Sequence, residues 1–188
     1  AYVRRQRQMC IRDRDTIERA IKKGSGQSSD SFEEITYEGY GPKGIAVIIE
    51  CLTDNKNRTV SEVRHALTKY NGSLGTKGSV AHLFKKIGIL TLLDTSEDDL
   101  INYIDEIEIL DYEQIDNNCV VNTEPANLFK VKSFFEEKSL QTKDEEIILE
   151  PMTMCDINET DIEQVELFTE NLEELDDVQN IYTNINIL

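Results

Sequence analysis

The chain of 188 residues is predicted to be an α+β protein: a short N-terminal helix, then two ferredoxin-like α+β domains, one inserted into the other. Three observations predict this. Short apolar and β-branched runs alternate with helix-period runs from residue 33 onward. The middle of the chain reads β-α-β-β-α-β, the order of the split βαβ unit. The flanking runs complete a second such unit only when read across the middle one. The expected limits are 1–14 for a foreign or artefactual segment, 15–31 for the short helix and its linker, 32–88 plus 155–188 for the outer domain, and 89–154 for the inserted one.

Element by element, DTIERAIKKG reads as a short helix capped by Asp15, with Glu18 three residues on and Gly24 as its stop. GSGQSSDS (24–31) is a linker. ITYEGYG and GIAVIIECLTD flank the turn GPKG, which predicts a hairpin, and the apolar run Ile45–Leu52 predicts a central strand covered on both faces. Thr59 and Glu62 form a T-x-x-E capping box opening a helix with Val60, Val63, Leu67 and Tyr70 on one face. SVAHLF and ILTLL read as strands around KKIG. Ser96 caps a helix carrying Leu100, Ile101, Ile104 and Ile107; IEILDYEQI and CVVNT flank an Asp-Asn-Asn turn. Thr123 and Pro125 open a helix with Leu128, Val131, Phe134 and Phe135, and EEIILEP closes the middle unit. A helix from Thr160 (Ile162, Val165, Phe168, Leu172, Leu175) and the strand VQNIYTN end the chain.

Net charge is −17, and it is unevenly spread: residues 1–88 hold 16 Lys+Arg against 10 Asp+Glu, residues 89–188 hold 4 against 27. One half is suited to meet an anion and the other to avoid it. Residues 1–14, with five arginines and no apolar periodicity, resemble translated sequencing-adapter sequence joined to a truncated gene and carry no weight for fold or function. No apolar run approaches the roughly 20 residues of a membrane helix, and no h-region follows the basic start. Cys10, Cys51, Cys119 and Cys155 form no C-x-x-C and read as reduced thiols, so a cytoplasmic protein without membrane contact is expected.

GSLGTKGSVAHLFKK (72–86) raises the question of a phosphate cradle. A P-loop needs G-x-x-x-x-G-K-[ST] between a strand and a helix; here Lys77 precedes Gly78, and a helix leads in. Two readings remain open: a connection eased by Gly72, Gly75 and Gly78, or a flexible basic loop that meets nucleic acid through Lys77, Lys85 and Lys86. The two histidines, His65 and His82, have no metal-ligand spacing, and pairs such as Asp98-Asp99 and Asp176-Asp177 are expected by chance among 37 acids. No serine sits in a nucleophile elbow. No enzyme is predicted.

DTIERAIKKG, EEITYEGYGPKGIAVIIECLTDNKNRTVSEVRHAL, NGSLGTKGSVAHLF and DDVQNIYTN, four separated blocks in order, resemble the YebC/PmpR family. The resemblance is dense through residue 88 and thin from 92 to 150. It implies a helical domain plus two α+β domains, one interrupted by the other. It also implies a regulator of gene expression that binds nucleic acid or the ribosome, with a mitochondrial branch that activates translation of cytochrome c oxidase subunit I, and no cofactor. Beside the family's basic start like GHSKWANIKHRK and its helical domain, the resemblance implies that residues 15–31 are the remnant of a helical N-terminal domain and its linker. GYGPGG becomes GYGPKG and LGTSGSV becomes LGTKGSV, adding Lys43 and Lys77.

The expected contact surface is Lys43, Lys56, Arg58, Arg64, Lys69, Lys77, Lys85 and Lys86. About five phosphate contacts would give a log–log salt slope of about −3.5 on single strands and −4.5 on duplex DNA. RNA, with the ribosome as partner, is preferred over promoter DNA because no helix-turn-helix frame offers base-reading side chains. Tyr37, Tyr40 and Tyr70 are candidates for stacking, with a core role as the alternative. A promoter-binding regulator and a protein–protein adaptor using the acidic half are the competing readings; oligomeric state is left open.

Overall fold

The structure is a computed structural model and describes residues 32–187. The helix expected at 15–24, the linker and the first fourteen residues lie outside these. In chain order the elements are β1 (Glu33–Tyr40), β2 (Ala46–Thr53), α1 (Lys56–Lys69), β3 (Ser73–Leu74), β4 (Phe84–Leu92), α2 (Glu97–Ile104) and β5 (Asp111–Ile115). There follow β6 (Asn118–Thr123), α3 (Leu128–Glu137), β7 (Thr142–Pro151), β8 (Cys155–Ile157), α4 (Glu159–Glu173), β9 (Val178–Thr183) and β10 (Ile185–Ile187). They divide into two compact units, 85–150 and 32–84 with 151–187. Lys85 and Lys86, assigned by sequence to the end of the outer domain, open the inserted unit.

The inserted unit has strand order β5-β6-β4-β7 with α2 and α3 as its crossovers, which is the ferredoxin-like order of a β-α-β-β-α-β chain. KKIG lies within one continuous strand, β4, rather than between two. Ser96 caps α2 as expected: its hydroxyl accepts from the Asp99 amide at 3.2 Å, and Asp99 Oδ2 accepts from the Ser96 amide at 3.3 Å. Leu90, Leu92, Leu100, Val121, Leu128, Val131 and Phe135 form its core, while Ile101 is half exposed.

In the outer unit the sheet order is β3-β1-β2-β9, all antiparallel neighbours, with β8 and β10 as a separate parallel pair. Its spatial order matches a ferredoxin-like sheet with β1 standing where the third strand of the motif would. β2 is central, as its apolar run predicts. Ile45, Val47, Ile49 and Cys51 pack under both α1 and α4, through Val63 and Leu67 from one and Val165, Phe168 and Leu172 from the other. The expected strand 79–84 is replaced: Ala81–Leu83 is a 3₁₀ turn, and the edge strand is the two-residue β3. Val80 and Phe84 are buried as a strand would bury them, but the local amides bond to a side chain instead of a neighbouring strand.

The β1–β2 turn holds Lys43 at φ 61°, in the left-handed region that favours glycine, where the resembling family usually has one. Lys43→Gly is therefore expected to stabilise the protein by about 1 kcal/mol, less what is lost with its exposed ion pair to Asp161 (3.1 Å). Urea denaturation should show a higher midpoint for the variant; an unchanged or lower midpoint would count against strain at this turn.

Candidate nucleic-acid interface

α1 starts earlier than its T-x-x-E signature predicts. Asn55 is the cap, its side-chain oxygen accepting from the Arg58 amide at 3.2 Å, so the helix runs from Lys56. Thr59, the expected cap, is instead buried inside the first turn, where its hydroxyl donates to Asp177 Oδ2 at 2.8 Å. Thr53 donates to the same oxygen at 3.1 Å, and Arg58 Nη2 lies 3.0 and 2.9 Å from the two Asp177 oxygens. Arg58 also reaches Asp54 at 2.9 Å. One half of the Asp176-Asp177 pair is thus a buried node that joins β2, α1 and the start of β9.

The glycine loop answers the cradle question in an unexpected way. Glu38, buried on β1, accepts from the amide of Gly78 at 2.7 Å through Oε1, and from Val80 (2.9 Å) and Ala81 (2.8 Å) through Oε2. The Gly75 amide donates to the Glu38 carbonyl at 2.8 Å, and the Tyr40 hydroxyl to the Ser79 carbonyl at 3.2 Å. The loop does converge amides on an anion, but the anion is the protein's own. Two of the loop's glycines meet a steric need: a Cβ at Gly72 would collide with the Tyr40 carbonyl, and Gly78 sits at φ 86°.

The eight predicted cations separate into two groups. Lys43 pairs with Asp161 (3.1 Å), Lys56 with Glu33, Arg58 with Asp177 (2.9 Å) and Lys85 with Glu150 (3.0 Å). Among the described residues Arg64, Lys69, Lys77 and Lys86 have no carboxylate partner in an ion pair; Lys69 lies over the Tyr70 ring at 5.2 Å. Steps of about 100° per residue put Arg64 and Lys69 on either flank of the outward face of α1, with the exposed Ser61, His65 and Thr68 between them. Lys77 is exposed on the loop beyond β3. Lys86 lies in the other unit. Tyr37 and Tyr70 pack against the core, Tyr70 edge-on to Phe168 at 6.0 Å, so of the three tyrosines Tyr40 alone is exposed.

Charge is partitioned between the two helices that share this core. α1 carries four Lys/Arg and one acid, Glu62, whereas α4 carries six Asp/Glu and no Lys or Arg. Among the described residues no group of three His, Cys, Asp or Glu is arranged to hold a metal, and no helix is long and apolar enough to cross a membrane.

A family model described as the TACO1/YebC second and third domain matches residues 32–185, both units together. The chain belongs to the TACO1/YebC family. Its similar relatives include a protein of Idiomarina loihiensis, 44% identical over 177 residues, covering 93% of this chain and 71% of that one. A protein of Coxiella burnetii is 44% identical over 174 residues, with 91% and 71% covered. Both are named probable transcriptional regulatory proteins. A crystal structure of a conserved hypothetical protein from Aquifex aeolicus superposes with a TM-score of 0.77 at 37% identity, over 98% of this chain and 77% of that one. The TACO1/YebC match therefore spans the hairpin, the glycine loop, the inserted unit and α4.

Two carboxyls at this site are held below the ordinary range. At Glu38 burial acts upward, but the amides of Gly78, Val80 and Ala81 outweigh it; at Asp177 burial again acts upward and is outweighed by Arg58, Thr59 and Thr53. A carboxyl lowered on folding contributes stability that is complete above its unfolded value, about 4.3 for Glu and 3.9 for Asp, and is lost as pH falls through its folded value. The urea midpoint should accordingly fall as pH drops below about 4.5. A Glu38→Gln/Asp177→Asn variant should be weaker at neutral pH and flatter in acid; an equally steep acid loss would remove these two groups as its source. At neutral pH Asp177→Ala is expected to cost about 2 kcal/mol, at the low side for a broken buried pair, because the Arg58 side chain is 45% exposed.

Proposed function

We propose that this chain is a non-enzymatic, nucleic-acid-binding regulator of gene expression that acts in translation, through RNA on the ribosome. The observation that carries the reading is the partition of charge across the helix layer: α1 presents Arg64 and Lys69 without carboxylate partners, and α4 beside it presents only acids. A phosphate backbone has one favourable side on which to lie. The names of the relatives support a regulator that meets nucleic acid.

RNA is favoured over a promoter because α1 is set on a sheet, not in a helix-turn-helix frame. Its outward face offers one arginine and back-bonded hydroxyls: Ser61 donates to the Asn57 carbonyl and Thr68 to the Arg64 carbonyl, both at 2.8 Å. Such a face reads phosphate and shape better than base edges. A second reading, a protein–protein adaptor, draws on the 17 Asp+Glu against 6 Lys+Arg of residues 85–150.

Binding of the full chain to ribosomes and to duplex DNA at equal phosphate, near 0.15 M salt, separates the readings. Ribosome preference is expected, and Arg64/Lys69/Lys77→Ala should abolish it. With three phosphate contacts the log–log salt slope should be about −2 on single-stranded RNA and −2.7 on duplex. Preference for duplex would favour the transcriptional reading. Ribosome binding unchanged in the triple variant would point to the adaptor.

A further inference from the structure

Lys77 stands at the point of the glycine loop, and what holds that loop is a single internal carboxylate. Glu38 lies on the sheet face opposite the helices, in register with Ile48 and, through it, with Tyr182. Its side chain is buried, and its two oxygens take three amides at 2.7–2.9 Å, the first belonging to Gly78, next to Lys77. Successive backbone amides aimed at one anion form a nest, ordinarily a place for phosphate or another ligand. Here no exchange with solvent is needed to keep it filled, because the anion is tethered to β1.

Apart from the buried Val80 and the Gly75 amide on the Glu38 carbonyl (2.8 Å), the segment has little else to fix it. The 3₁₀ turn at Ala81–Leu83 is three residues long, and β3 pairs with β1 over only two residues. Thr76 accepts from the Ser79 amide at 3.0 Å, and the Tyr40 hydroxyl donates to the Ser79 carbonyl at 3.2 Å. Without the carboxylate three amides would turn to water, and the cation at the tip would lose its fixed place. A cation that must be ordered on binding contributes less than one already in position.

We infer that Glu38 is a positioning residue for nucleic-acid binding: by filling the amide nest of Gly78, Val80 and Ala81, it holds Lys77 where a phosphate can be met. This rests on the reading of Lys77 as a phosphate contact. It makes a prediction of opposite sign to simple electrostatics. Removing an acid from a binder of polyanions ordinarily tightens the complex; removing this one loosens it.

The test is a double-mutant cycle on the full chain, titrating a single-stranded oligouridylate RNA of about 20 nucleotides at several salt concentrations, where each lost phosphate contact lowers the log–log slope by about 0.7. Lys77→Ala and Glu38→Gln should each weaken binding and each lower the slope by that amount, and the double variant should be no weaker than Lys77→Ala alone. Circular dichroism confirms folding. Where Glu38→Gln does not fold, Glu38→Asp, one methylene too short to fill the nest, takes its place in the cycle. Tighter or unchanged binding by the Glu38 variant beside a weakened Lys77→Ala would overturn the inference alone, as would losses that add in full. An unchanged Lys77→Ala would overturn the underlying contact and the inference with it.

Discussion

The outer unit is made from two lengths of chain that are far apart in sequence, and the buried Asp177 carboxylate is where they are fastened. β2 and β9 pair along their length, with a register shift between Glu50 and Cys51. At the end of that pairing Asp177 takes the hydroxyls of Thr53 and Thr59 and the guanidinium of Arg58, while its own carbonyl accepts from the Leu52 amide at 2.8 Å. Joining ends over so long a loop costs entropy that grows only slowly with length. The inserted unit lowers that cost further, since its first and last strands, β4 and β7, are neighbours. Leu83 and Met152, flanking the insertion, are directly hydrogen-bonded at 2.8 Å. A ferredoxin-like unit brings its own ends together, which makes it a unit that another fold can accept.

The same economy explains why Arg58 is a poor choice for a phosphate ligand. Its charge balances a buried carboxylate, and drawing it away would leave Asp177 uncompensated in a site where burial already opposes ionisation. Lys43, Lys56 and Lys85 face weaker ties, since their pairs are at the surface and screened. A phosphate can compete for those three. Among the described residues of this unit the cations without such ties are Arg64, Lys69 and Lys77, and a phosphate meets them with no ion pair to displace.

Local signals made much of this fold legible. The hairpin around GPKG, the central apolar β2, the Ser96 capping box and the β-α-β-β-α-β order of the insert all depend on neighbours within a few residues. What was not legible depends on distant partners. Thr59 looks like a cap because T-x-x-E is a local pattern, but its partner is 118 residues away. SVAHLF alternates like a strand, yet its amides are claimed by Glu38, some forty residues earlier. Nothing in the sequence around Glu38 marks it: a glutamate in an alternating strand is expected on the exposed face, and only the loop folded over it makes that position buried. Of the eight cations chosen from composition, the four with carboxylate partners could not be told from the four without, because apart from Asp54 beside Arg58 each partner is distant in sequence.

A net charge of −17 and a phosphate ligand are compatible only if charge is read locally. Beyond the Debye length, about 8 Å at physiological salt, exposed acids are largely screened from a ligand lying on α1. Within it, α1 brings four Lys/Arg against one acid, with the six acids of α4 beside it. The surrounding acids then act less on affinity than on orientation, since any approach that brings phosphate toward α4 is repelled before contact. Residues 32–88 hold eight Lys+Arg and six Asp+Glu, so the excess of cations in the first half of the chain owes more to residues 1–31 than to the fold described. The proposed interface on this unit is correspondingly small: two cations bracketing one helix face and a third, Lys77, at the tip of a loop whose amides bond to the buried Glu38.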